Sequence, residues 1–157
     1  TVRLAFSLER VKQTGLRRFG VLFADVAQLP ALKKQLGDEE TNKLYRKLAD
    51  QFRITLRPTD TMAWSATDGV FLTLVEEIPN PEAPLRIASR VRDGMKKFIE
   101  DGDQGLGLRV NLGVLLCDSE YEDIHHILRD IQRARTLLQD RQYTSPAIFD
   151  REMLAKR

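Results

Sequence analysis

The strongest constraint in the chain is a hairpin near its middle. Residues 61–65 (Thr-Met-Ala-Trp-Ser) and 70–75 (Val-Phe-Leu-Thr-Leu-Val) are strand-like runs, and Asp68-Gly69 supplies the turn signal between them. Two antiparallel strands are thereby fixed beside each other. The rest of the chain must supply further strands and the helices that cover the sheet.

Hydrophobic periodicity supplies both. Residues 19–25, Phe-Gly-Val-Leu-Phe-Ala-Asp, read as a buried strand ending in an acid. Apolar residues at helical spacing predict a helix over 2–13. Helices are also expected over 30–36 and 39–56, the longer carrying Leu44, Leu48, Phe52 and Leu56 on one face with Asp38 as its cap. Asn80-Pro81 opens another helix, with Leu85, Ala88, Val91, Met95 and Phe98 expected inward. Leu108, Val110, Leu112 and Val114 alternate with Arg109, Asn111 and Gly113, which predicts a half-buried strand. Ser119-Glu-Tyr-Glu122 reads as a capping box before a helix with Ile124, Ile127, Leu128, Ile131, Ala134 and Leu138 on one stripe. Residues 146–149 close the chain as a short strand. The expected class is α+β, with a βαββαβ core of the ferredoxin-like and nucleotide-cyclase-like kind. Its central sheet is mostly antiparallel and flanked by helices.

Bulk composition narrows the function. The 157 residues suit one domain over 1–157 with its own core, and there is no internal repeat. Thr1 starts inside a helical pattern, so the domain is expected to come from a larger protein. A net charge of +2, without a basic block, argues against a nucleic-acid partner. No apolar run has membrane length and no signal peptide is present, which gives a cytoplasmic expectation without membrane insertion. The single Cys117 excludes an internal disulfide and reads as a small buried side chain. His125 and His126 diverge as helix neighbours and do not make a metal pair.

Residues 57–70, Arg-Pro-Thr-Asp-Thr-Met-Ala-Trp-Ser-Ala-Thr-Asp-Gly-Val, resemble the centre of a GGDEF domain, the diguanylate cyclase family. The likeness runs from about Arg3 to Phe149. In that family an Arg-x-x-Asp inhibitory site precedes a Gly-Gly-Asp/Glu-Glu-Phe tip by five residues. Here Arg57-Pro-Thr-Asp60 matches the inhibitory site, and Ala66-Thr67-Asp68-Gly69-Val70 stands where the tip belongs. The resemblance implies that Asp25 and Asp68 are the metal carboxylates, able to hold Mg²⁺ against a triphosphate. It also implies what is missing. Ala66 and Thr67 replace the tip glycines, Gly69 replaces the glutamate, and Lys33 and Asn42 stand at the guanine-reading positions. The family's late phosphate-contacting Lys corresponds to Arg135.

The inhibitory site is better kept. In Arg86-Ile-Ala-Ser-Arg90, Arg90 falls on the family's further ligand-binding arginine, and Arg86 shares its helix face at i, i+4. A guanidinium can bond the guanine O6/N7 edge or a phosphate, and a carboxylate can accept from guanine N1–H and N2–H. The expected ligand is cyclic di-GMP at Arg57, Asp60, Arg90 and Arg86, with a ligand-linked homodimer and other domains of the parent protein as partners. Arg57-Pro-Thr-Asp60 is also an ordinary helix-ending turn. The residues therefore leave three functions to weigh. The first is an inactive cyclic di-GMP receptor that requires no cofactor. The second is a ligand-free interaction module. The third is a residual Mg²⁺-nucleotide sensor with little or no turnover.

Overall fold

The strand β1 (Phe19–Asp25) is buried along its whole length. Its neighbours explain why: β3 (Val70–Val75) pairs along one edge and β4 (Asn111–Cys117) along the other, both antiparallel. The structure is a computed structural model that describes residues 9, 19–26, 28–56, 61–65, 70–75, 78, 82–102, 109–140 and 142–155. β2 (Thr61–Ser65) pairs antiparallel with β3, and β5 (Ala147–Asp150) pairs parallel with β4. The sheet order is β2-β3-β1-β4-β5. The fold is α+β, a mostly antiparallel mixed sheet flanked by helices, as the sequence predicts.

The period of two along β1 divides the core. Phe19, Val21 and Phe23 face α3 (Ile124–Gln139), joined by Ile127, Ile131, Ala134 and Leu138. Leu22 and Ala24 face α1 (Leu29–Thr55) and α2 (Ala83–Gly102), joined by Leu48, Phe52, Ala88 and Val91. A terminal helix, α4, spans Arg151–Ala155.

Several expectations need correction. The two helices expected over 30–36 and 39–56 are present and meet at a kink at Gly37, where φ is 83°, so the correction concerns the cap. Asp38 is helical, so Gly37 and not Asp38 marks the boundary. Leu85 is 43% exposed; Ile87 takes its place inside, two residues on. β4 is not half-buried, because Leu112 and Val114 pack on one side of the sheet and Leu115 and Cys117 on the other. The α3 cap is Asp123, whose carboxylate accepts from the His126 amide at 3.0 Å, and not the box at Ser119. Apart from Glu9, which is helical, the helix expected over 2–13 lies outside the described residues. So do Arg57, Asp60, Ala66, Thr67, Asp68, Gly69, Asn80, Pro81, Leu108 and the Phe98 side chain.

Candidate functional site

Asp25 ends β1 and sits in register with Val70 on β3 and Asn111 on β4. It continues the odd-numbered face, so its side chain points toward α3 and is 0% exposed. A carboxylate taken out of water needs a counter-charge and hydrogen-bond donors. Both come from α3. Arg135 Nε donates to Oδ2 at 3.2 Å, and Nη2 donates to Oδ1 at 3.4 Å. Gln139 Nε2 donates to Oδ2 at 2.7 Å, the shortest of the three contacts. Arg135 and Gln139 are i and i+4, so one face of α3 presents both. The Arg135 side chain is itself only 12% exposed, and its Nη1 donates to Gln132 Oε1 at 2.8 Å.

This described part of the site does not fit an Mg²⁺. The dication wants open carboxylate oxygens, and a guanidinium bonded to those same oxygens competes with it for them. Both Asp25 oxygens already accept from α3. Among the described residues, no group of three or more His, Cys, Asp or Glu could hold a metal ion. Sequence reasoning placed Arg135 against phosphate and passed over Gln139. The signal that could have found Gln139 is its i+4 spacing from Arg135.

The other site residues divide by surface. Val70 is buried and pairs with both Asp25 and Ser65, so the end of β2 and the start of β3 lie next to the end of β1. Lys33 and Asn42 are exposed on α1, with Lys33 Nζ 3.8 Å from the Asp38 carboxylate. Arg86 and Arg90 are exposed on α2, one turn apart, while Ile87, Ala88 and Val91 bury the helix's other side.

A family model described as "Diguanylate cyclase, GGDEF domain" matches residues 1–142. The chain belongs to the GGDEF family. The GGDEF domain of YfiN from Pseudomonas aeruginosa superposes with a TM-score of 0.73 at 22% identity, over 96% of this chain and 86% of that one. An EAL/GGDEF domain protein from M. capsulatus gives 0.73 at 23% identity, over 93% of each chain. The GGDEF domain of DgcB from Caulobacter crescentus, solved in complex with c-di-GMP, gives 0.68 at 11% identity, over 96% and 86%. No curated protein matches the chain. At these identities the solved structures establish the shared fold.

A second polar cluster in this GGDEF domain lies beneath the start of α3. Asp130 is 1% exposed, and the buried Tyr121 hydroxyl donates to its Oδ2 at 2.7 Å. Arg133 Nη1 donates to Oδ1 at 3.4 Å, and His126 Nε2 lies 3.9 Å from Oδ2. His126 also meets Tyr121 edge-on, at 4.7 Å between ring centroids. Burial, and then the bond to Asp130, pushes the Tyr121 hydroxyl far above its ordinary range. Cys117 is raised by burial first, then by Asp118 and Asp130. A thiol held protonated is a poor nucleophile, so the cluster reads as core structure.

Proposed function

We propose that this GGDEF domain is catalytically inactive and receives cyclic di-GMP at Arg57, Asp60 and Arg90, with Arg86 on the same helix face. One contrast carries the reading. Asp25, at the family's metal position, is wholly buried, whereas Arg86 and Arg90 lie on the solvent-exposed side of α2. The sequence supports the same division. The tip glycines and the signature glutamate are replaced, and the Arg-x-x-Asp of the inhibitory site is kept. Guanidinium groups read a guanine edge or a phosphate, and Asp60 supplies the acceptor for guanine N–H groups. The solved complex of DgcB with c-di-GMP supports the ligand class by analogy. A ligand-linked dimer that reports to other domains of a parent protein follows from the same site.

Isothermal titration with cyclic di-GMP tests it. Micromolar or tighter binding is expected, lost in Arg57→Ala and weakened by about tenfold or more in Arg90→Ala. Sedimentation velocity should show a shift toward dimer on adding ligand. Folded protein that gives no heat at high ligand concentration would overturn the receptor reading in favour of an interaction module or a nucleotide sensor. Pyrophosphate release from GTP with Mg²⁺ would overturn the inactive assignment.

A further inference from the structure

We propose that Arg135 is a built-in cation for Asp25, taking the place of a divalent metal, with Gln139 as its co-donor. Three observations converge. Asp25 cannot withdraw from the interior, because it is paired on both sides within the central strand of the sheet. It therefore needs a positive partner in the folded state. Arg135 is itself held in place, with a side chain 12% exposed and Nη1 donating to Gln132 Oε1 at 2.8 Å. Gln139 Nε2 adds a third donor at 2.7 Å from Oδ2, so three of the carboxylate's roughly four acceptor positions are taken.

The two cations compete for the same oxygens. A metal bound to Asp25 would face guanidinium nitrogens that lie 3.2 and 3.4 Å from the carboxylate oxygens, and like charges at such range repel strongly in a site this buried. Arginine carries its charge at every accessible pH, so the substitution is permanent. The domain then folds, and keeps the end of β1 in place, without metal. Removing the arginine should reverse the exchange: a buried carboxylate without its partner becomes a ligand seeking a cation.

This rests on the catalytic half of the proposed function and not on cyclic di-GMP. The assay contains no nucleotide, so the two fail separately. Thermal unfolding is followed with and without Mn²⁺, and with Mg²⁺ in parallel. Wild type should show no metal-dependent shift in Tm. Arg135→Ala should melt several degrees lower and recover part of the loss on adding Mn²⁺, since a ligand bound only to the native state raises Tm. Asp25→Asn/Arg135→Ala should lose that recovery. Should Arg135→Ala fail to fold, Arg135→Gln removes the charge and keeps a donor, and the same metal response is read from it. A variant that folds only with Mn²⁺ supports the proposal. A wild-type Tm that rises with Mn²⁺ as much as the variant's overturns it. So does a folded Arg135 variant with no metal response.

Discussion

Gly113 owes its identity to the ring above it. A Cβ built there would lie 2.3 Å from Phe23 Cζ, and Phe23 pairs with Gly113 across β1 and β4. Gly113→Ala must therefore push a fully buried ring aside. Overpacking of this kind costs about 1–3 kcal/mol, read as a lower urea midpoint with unchanged slope. Tyr121→Phe tests the other buried cluster. It removes the 2.7 Å bond to Asp130 and leaves a buried carboxylate short of a donor, at about 1–3 kcal/mol. Cys117 should resist thiol reagents until the protein unfolds, because its protonated sulfur is wholly buried. The packing role of Cys117 was legible from its place closing an apolar strand, whereas the alternation put Gly113 on the outer side of a half-buried strand. The burial of Asp130 was not legible, since an acid between Arg129 and Arg133 on a helix reads as solvated until the fold brings Tyr121 over it.

Helix boundaries show where local signals compete. Two caps were available before α3, Ser119 and Asp123. Tyr121 decides between them, because its ring is fully buried and its hydroxyl is held by Asp130, one turn and more into the helix. That segment is pinned outside the helix, and Asp123 caps instead. Its carboxyl is held below the usual range, mainly by the His126 amide. A depressed folded pKa contributes stability above the unfolded value of about 3.9 and loses it as pH falls through the folded value. Asp123→Ala should accordingly lower Tm at pH 6 and make little difference well below pH 3. Asp123→Asn keeps a cap at both. The break in α1 has a different cause. Nothing lies within 4 Å of a Cβ at Gly37, so space is available and only its φ of 83° selects glycine. Gly37→Ala should cost about 1–3 kcal/mol.

At the scale of the whole molecule, the sheet separates two tasks. Element order was legible because each strand and helix carries its own period, and the closing strand beside β4 completes the five-stranded order. The Asp25–Arg135 pair was not legible as a pair. It joins residues 110 positions apart, and only the stacking of α3 on β1 makes them neighbours. Arg90 belongs to a helix whose buried side packs in one core, and Arg135 to a helix packed in the other. The sheet lies between the two helices. Substitutions at such sites add. Arg90→Ala should therefore weaken cyclic di-GMP binding and leave urea unfolding unchanged. Arg135→Ala should destabilise by about 3–5 kcal/mol, as breaking a buried pair does, and leave the affinity of the folded fraction unchanged. In the double variant both effects should sum to within about 0.5 kcal/mol. Titration and unfolding of all four proteins measure the coupling, and a value above about 1 kcal/mol would mean that the sheet transmits the state of Asp25 to the face that carries Arg90.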